Sequence, residues 1–326
     1  MSGFKRDRSG NTKRRHDAPR QAAASQPAVR SAYTPMFEHF RDELDEHHDR
    51  RERLVKASRD ITALSKKIIF SLQRVRKIES ELPSDITKET EARLDEISRL
   101  LATVAGETQG IHRHRYAYSL RCLEELVEAL TFAHYLKTQS LISPGDLASI
   151  TDELCRRGAA ALARGEDEAM PDATDAPKDA HVDAAAAPSP AERSAAEDPP
   201  TVPLTEEDYL HGVFDLSGEM MRFATTTTAL TGRLASAAAV ADPTDPTDRT
   251  SQPRPRTIVQ DMQDLRSFFE MLPPQRSKTW SIKMDVLRTS VAKVERLGYG
   301  ITVRGSEREK GWVPDMADDE GPEAPE

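Results

Sequence analysis

The chain has 326 residues and a net charge of −9, and its length allows one large or two ordinary domains. The charge is uneven: residues 1–30 carry +6, residues 163–203 carry −7 and residues 306–326 carry −6, which leaves −2 for the remainder. The acidic balance therefore belongs mainly to two tails and a linker, and it is weak evidence against a polyanionic partner.

The cysteine count and the hydropathy pattern exclude several classes of protein. Cys122 and Cys155 are too few for a disulfide framework and fit a reducing compartment. No uninterrupted apolar run approaches the ~18–20 residues that cross a bilayer, and the basic N-terminus lacks the apolar core of a secretory signal. We expect a cytoplasmic and nuclear protein with no membrane partner. The basic cluster at 13–15 is typical of a nuclear-import signal and equally of a solvated basic tail.

The hydrophobic pattern predicts helices throughout. Apolar residues recur at steps of three and four from Phe37 to Val75, which predicts a very long first helix. No stretch alternates as several strands of a sheet would, so the predicted fold class is all-α. Starts, stops and periodicity predict the following helices after the first: Ser84 to about Gly106, Arg113–Lys137, Pro144 to about Leu162 with Ser143 as N-cap, Thr205 to near Ala239, 257–272 and 281–304.

Composition divides the chain into a helical domain and low-complexity segments. Residues 34–305 form the predicted helical domain, and we expect its two low-complexity insertions, 163–203 and 240–256, to be disordered. Residues 1–33 are predicted to be a disordered basic tail, and residues 306–326 a disordered acidic tail.

Two helical segments each place a pair of carboxylates on one face. Glu125 and Glu128 are three residues apart in an otherwise apolar run, and Asp215 and Glu219 are four apart in another. Side chains at these spacings project side by side from a helix. A carboxylate among apolar neighbours is unfavourable unless a cation or a donor compensates it. The four groups therefore indicate a hard divalent metal held between the two helices.

Each pair alone is more often an ordinary solvated helix face, which is the alternative to a metal site. The apolar flanks of both segments favour the metal site. Oxygen ligands without a paired His or Cys favour Mg²⁺ or Mn²⁺ over Zn²⁺. The expected cofactor is therefore Mg²⁺, or Mn²⁺ in its place.

Basic residues supply candidate contacts to nucleic acid. Arg222 lies one turn from Glu219 and is the candidate nearest to the expected metal, although an ion pair with Glu219 is the alternative. Ordinary surface charge explains most of the other basic residues at least as well. The candidates for binding phosphate are Arg222, Lys56, Arg59, Arg113 and Arg115.

Short segments along most of the chain resemble the translin family, and within it the branch of translin-associated protein X. They occur in the family's order between about residues 36 and 307, apart from the two insertions. The segments are ELDEHHD (43–49), ERLVK (52–56), SRDIT (58–62), ELVEA (125–129), HYLKT (134–138), SLIS (140–143), DYLHGV (208–213), DLSGEMMR (215–222), KVE (293–295) and VRGSE (303–307).

This resemblance implies a bundle of about seven helices that joins translin in a closed hetero-oligomer around RNA. It implies a metal-dependent endoribonuclease, active in that complex, that removes the passenger strand of small RNA duplexes or trims transfer-RNA precursors; single-stranded DNA is a further expected ligand. The family's metal ligands fall on Glu125, Glu128, Asp215 and Glu219. The first three would be catalytic, with Glu219 a fourth ligand or the residue that orients a water. Translin itself lacks suitable residues at the positions of Glu125 and Glu128, which assigns this chain to the catalytic subunit.

One departure and two alternatives remain open. The segment entering the first acidic pair reads Cys-Leu-Glu-Glu at 122–125, and the added Glu124 lies about 100° around the helix from Glu125. We expect Glu124 to face away from the metal, although it could replace Glu125 as the ligand. The chain could instead be a non-catalytic scaffold that stabilises translin and binds nucleic acid, or an adaptor for nuclear assembly.

Overall fold

The computed structural model describes residues 31–165, 199–236, 256–273 and 275–304. Within these ranges all regular structure is helical, with two 3₁₀ turns at Gly106–Thr108 and Ala117–Leu120. The α-helices are α1 (Thr34–Leu72), α2 (Ser84–Ala105), α3 (Ile111–Arg115), α4 (Cys122–Thr138), α5 (Pro144–Ala163), α6 (Glu206–Thr231), α7 (Ile258–Met271) and α8 (Lys278–Arg304).

The all-α prediction is confirmed, and six of the seven long helices begin within a few residues of their predicted starts. Capping residues explain why the starts of these helices could be predicted from the sequence. The Ser143 hydroxyl accepts a hydrogen bond from the Asp146 N–H at 3.1 Å, with Pro144 in the first turn of α5. Thr205 and Asp208 form a reciprocal capping box at the start of α6. Both signals are local and are visible in the sequence.

The predicted helix Arg113–Lys137 is wrong at its start. The chain forms the single turn of α3, then a 3₁₀ turn, and enters α4 only at Cys122. Between them Tyr116 is buried, and its φ of −107° and ψ of 17° lie outside the helical region. Long-range packing of this segment therefore overrides the helical pattern of its sequence.

The helix predicted to fade near Ala239 ends earlier, at Thr231. Gly232 follows with φ +65°, and its N–H donates to the Thr228 carbonyl, which is a left-handed glycine C-cap. The alanine-rich sequence beyond this glycine favoured a longer helix, but the cap ends it.

The helices that position the site are α4, α6 and α8. α6 packs against both α4 and α8, while α7 packs on α8 and α2 packs on α5. Phe214 of α6 stacks on Phe269 of α7, with ring centroids 3.8 Å apart, and meets Trp280 of α8 edge-on at 4.9 Å. The core also takes in Leu54 and Ile61 of α1, both almost fully buried. This packing fixes one face of α6 against two neighbours.

Most of the predicted tails and insertions (1–33, 163–203, 240–256 and 306–326) lie outside the described residues, as does the basic cluster at 13–15. The end of the first insertion is described: Val202 is fully buried, and its N–H donates to the Cys155 sulfur at 3.4 Å. This end of the segment therefore packs with the helical domain. None of the helices in the described ranges is long and apolar enough to span a membrane.

Candidate functional site

Close approach of α4 and α6 brings the two acidic pairs together. Gly212 of α6 lies against α4 so tightly that a Cβ at this position would be 2.7 Å from the Glu124 carbonyl oxygen and 2.5 Å from Val127 Cγ1. Glu125 follows Glu124 on α4, and Asp215 lies three residues after Gly212 on α6. The absence of a side chain at Gly212 therefore allows the close spacing of the two helices that carry the carboxylates.

Three of the four predicted ligands line one open pocket of about 410 Å³: Glu125, Glu128 and Asp215. Its wall is completed by Phe214, Gly218, Ile282, Lys283 and Val286. The fourth, Glu219, is buried one turn beyond Asp215 and does not line this pocket. Two distant segments of sequence thus converge on one concave surface.

Three of these carboxylates each contact a cation or a donor within the protein. The Lys283 ammonium lies 2.6 Å from Asp215 Oδ2, and Lys66 Nζ lies 3.8 Å from Glu125 Oε2. Gln73 Nε2 donates to Glu219 Oε2 at 2.8 Å, and Arg222 Nε is 3.6 Å from Glu219 Oε1. The acidic groups are therefore turned partly toward the protein.

The carboxyl groups of the pocket nevertheless do not ionise independently of one another. Burial and the charges of Asp215, Glu125 and Glu219 raise the pKa of Glu128 to about 8. Burial also raises the pKa of Glu125, with Lys66 opposing the shift and Asp215 adding to it. Like charges held close together in a partly desolvated site disfavour full ionisation. Such a site gains stability from an added cation.

Glu124 has a different environment from Glu125. Burial alone would raise its pKa, but a hydrogen bond from His211 and the charge of Lys283 lower it to about 2. His211 Nδ1 lies 3.5 Å from Glu124 Oε1, and Lys283 Nζ lies 3.4 Å from Glu124 Oε2. Glu124 lines a second pocket, together with Arg115. Glu124 does not line the acidic pocket, although it shares the Lys283 ammonium with Asp215.

The donor set fits a hard divalent cation by chemistry, because it offers only carboxylate oxygens around a negatively charged pocket. As the side chains are placed, no three His, Cys, Asp or Glu residues in the described ranges are arranged to hold a metal ion. The contacts of Asp215 with Lys283 and of Glu219 with Gln73 explain this arrangement. Binding would need these carboxylates to exchange an internal partner for the ion.

Lys283 and Gln73 are two residues of the site that the sequence did not indicate. Lys283 is 68 residues from Asp215 along the chain, and Gln73 is 146 residues from Glu219. Neither belongs to a motif, and the sequence pattern of α8 gives no sign that its lysine points toward α6. The one available signal is that Lys283 lies between two apolar residues, Ile282 and Met284, and is therefore close to a packed face.

The predicted nucleic-acid contacts are distributed over three helices, α1, α3 and α6. Lys56 and Arg59 are exposed on α1, and Arg222 is 60% exposed beside Glu219. Arg115 is exposed in the second pocket, of about 780 Å³, where the Arg121 guanidinium lies 5.6 Å from the Tyr118 ring centroid. These four predicted cations therefore remain available to a ligand.

Arg113 has a structural role that the sequence did not indicate. Its guanidinium is buried, forms an ion pair with Asp208, and donates to the Pro203 carbonyl at 2.8 Å. The pair joins α3 to the start of α6, so Arg113 is not available to a phosphate. Replacing either partner of a buried pair leaves the other charge uncompensated.

We expect Arg113→Met to lower the free energy of unfolding by about 3 kcal/mol, as removal of one member of a buried ion pair does. Arg115→Met is the matched control, because Arg115 is exposed two residues away. It should change stability by less than about 0.5 kcal/mol. Urea unfolding of both variants measures the difference, and equal losses would contradict the structural role of Arg113.

The raised pKa of Glu128 predicts a pH dependence of stability in metal-free buffer. Between the usual carboxyl value of 4.5 and about 8, the folded protein retains a proton that the unfolded chain has lost. Stability therefore falls as pH rises through this window. Glu128→Gln removes the effect, so the stability of this variant relative to wild type should rise by roughly 4 kcal/mol from pH 5 to pH 8.5.

Chemical unfolding in EDTA at both pH values checks this expectation. The control is Glu153→Gln, whose wild-type carboxylate is 69% exposed and pairs with Arg156 at the surface. The stability of this control relative to wild type should not change with pH over this window. A Glu128→Gln difference that is constant with pH would show that Glu128 is ionised normally in the folded protein.

Comparison with known proteins identifies the family to which the chain belongs. The profile described as "Translin family" matches residues 49–305. Translin-associated protein X of Rattus norvegicus is 29% identical over 322 residues, covering 94% of this chain and 92% of the relative. The Pongo abelii protein of the same name is 31% identical over 317 residues with the same coverage, and the Schizosaccharomyces pombe homologue is 23% identical over 280 residues, covering 83% and 89%.

A solved structure titled "Crystal structure of apo-NeC3PO" aligns with a TM-score of 0.44 and 14% identity, covering 80% of this chain and 95% of that one. A score of this size adds nothing to the assignment. The family is assigned by the profile match over most of the helical domain and by the relatives that match nearly the whole chain. The chain belongs to the translin family.

Proposed function

We propose that this chain is the catalytic subunit of a hetero-oligomer with translin that hydrolyses RNA phosphodiester bonds with Mg²⁺ or Mn²⁺. The observation that carries the proposal is the convergence of three carboxyl groups, those of Glu125, Glu128 and Asp215, on one pocket. The matched relatives are named for association with translin, which supports the choice of partner.

The residues divide into those that would hold the ion and those that would meet the RNA. Glu125, Glu128 and Asp215 would hold the ion, and Glu219 would be a fourth ligand or orient a water through its place beside the pocket. A bound Mg²⁺ supplies a charge that offsets the developing charge on the phosphate and lowers the pKa of a water molecule. Arg222 is exposed beside Glu219 and could contact the scissile phosphate.

RNA binding would use the exposed cations farther from the pocket. Lys56, Arg59 and Arg115 carry positive charge at the surface, and Tyr118 is 80% exposed and can stack on a base. A single strand offers unstacked bases to such groups, so single-stranded RNA or DNA is the expected ligand class. The two cysteines fit a cytoplasmic and nuclear setting.

The test is cleavage of a labelled single-stranded RNA by the full chain reconstituted with translin. We expect cleavage with Mg²⁺ or Mn²⁺, none with EDTA, and recovery on adding the ion back. Filter binding of the same RNA in EDTA separates binding from cleavage. A complex that assembles and binds RNA but never cuts it with either ion would contradict the nuclease assignment.

A non-catalytic scaffold is the second candidate, and two observations favour it. Lys283 already neutralises part of Asp215, and the carboxylates in the described ranges are not arranged around an ion. A scaffold would stabilise translin and bind RNA without cleavage. The assay described above distinguishes the two functions directly.

A further inference from the structure

Lys283 is held by acceptors from both helices of the site. Its ammonium donates to Asp215 Oδ2 at 2.6 Å, to the His211 carbonyl at 3.1 Å and to Glu124 Oε2 at 3.4 Å. Three acceptors match the three N–H bonds of a lysine. The side chain is only 15% exposed, so this ammonium is fixed by the fold and does not belong to a solvated surface.

The two carboxylates that share Lys283 face different surroundings. Asp215 is 40% exposed and lines the acidic pocket with Glu125 and Glu128. Glu124 is 14% exposed and lies outside that pocket, beside His211. The ammonium therefore lies between a pocket carboxylate and a second, more buried carboxylate whose pKa is about 2.

An ammonium and a divalent cation cannot both lie against the same carboxylate oxygen without strong repulsion. At such short separations, like charges in a partly buried site repel each other more strongly than they would in bulk water. Asp215 is the pocket carboxylate with the shortest contact to a lysine, because Lys66 lies 3.8 Å from Glu125. Lys283 is thus the main internal competitor for a cation in this pocket.

We propose that Lys283 is a resident counter-cation of the acidic pocket and that a divalent cation must displace its ammonium from Asp215. When the ammonium leaves Asp215, Glu124 and the His211 carbonyl continue to hold it. This inference rests on the proposed metal-binding role of the pocket. It explains why Asp215 is turned toward α8, and it gives Glu124 a positioning role distinct from that of a ligand. Lys283 then sets how tightly the pocket binds its cation.

The test measures Mn²⁺ affinity directly, by electron paramagnetic resonance of the free ion, on the full chain in complex with translin. Lys283→Gln should bind Mn²⁺ about tenfold more tightly than wild type, because the competing charge is gone. Lys283→Arg keeps the charge and should stay within about twofold. The matched control is Lys278→Gln, an exposed lysine on the same helix with the same change of charge, which should leave the affinity unchanged.

Glu124→Gln gives an independent second arm. It weakens the alternative site for the ammonium, so Mn²⁺ binding should weaken about fivefold in the wild-type background. In the Lys283→Gln background the same change should have less than a twofold effect, because no ammonium remains to be held. If Lys283→Gln does not fold, the Glu124→Gln arm decides: an unchanged affinity there would overturn the proposal.

Failure of this inference differs from failure of the proposed function. Mn²⁺ binding that depends on Glu125 and Glu128 but is the same or weaker in folded Lys283→Gln would overturn only the role of Lys283. Mn²⁺ binding that Glu125→Gln and Glu128→Gln leave unchanged would remove the pocket from the metal chemistry. Absence of binding in wild type and Lys283→Gln alike would overturn both.

Discussion

Replacing Glu125 and Glu128 together by glutamine is expected to reduce Mg²⁺-dependent RNA cleavage by at least about a hundredfold, while assembly with translin persists. Glutamine keeps the shape of each side chain but removes the two negative charges on α4 that would hold the ion. The burial of Glu128 and its raised pKa indicate that its charge is unfavourable without a cation. The double variant should therefore fold at least as well as wild type in EDTA.

The measurement is initial cleavage rate under single-turnover conditions, with size-exclusion chromatography of the complex beside it. Glu43→Gln with Glu46→Gln is the matched control, since it changes the same residue types at the same spacing on an exposed face of α1. That control should keep most of the wild-type rate. Wild-type cleavage by the Glu125 and Glu128 double variant would place the chemistry elsewhere.

Gly212→Ala should have the largest effect on stability of any single methyl group added to the site. The new Cβ would overlap Val127 at 2.5 Å and the Glu124 carbonyl oxygen at 2.7 Å, and a backbone atom cannot rotate away. α6 must then move from α4. We expect a loss of about 3 kcal/mol in the free energy of unfolding and a fall in Mn²⁺ affinity as the acidic pairs separate.

Gly218→Ala is the control for this variant, because it lies on the same helix with nothing within 4 Å of its added Cβ. Alanine is the better helix former, so this change should raise stability by up to about 1 kcal/mol. Thermal and urea unfolding of both variants measures the difference in their stability. Equal stability of the two would show that the contact between α4 and α6 at Gly212 is not close.

Local signals in the sequence account for what could be predicted. The start of α5 follows from Ser143 and Pro144, and the start of α6 from Thr205, because capping depends on neighbours within one turn. The end of α6 was misplaced although Gly232 is visible in the sequence, since alanine beyond it extends the helical pattern. The end of such a helix depends on the balance between capping by the glycine and the helix propensity of the alanines that follow it.

The acidic pairs could be found from the sequence, but their partners could not. Spacing places Glu125 beside Glu128 on one helix, whereas the contact of Asp215 with Lys283 depends on how α6 and α8 pack. The same limit explains Arg113, whose burial against Asp208 depends on a contact 95 residues away along the chain. Pair contacts between helices carry no periodic signal in a single sequence.

The most direct test is the anomalous scattering map of the complex crystallised with Mn²⁺. One or two Mn²⁺ peaks are expected inside the pocket, within about 2.5 Å of carboxylate oxygens from both α4 and α6, including Glu128 and Asp215. Lys283 should then keep its contact with Glu124 and lose its contact with Asp215. A complex that cleaves RNA in Mn²⁺ but shows its peak bound by other residues, with this pocket empty, would contradict the shared carboxylate site.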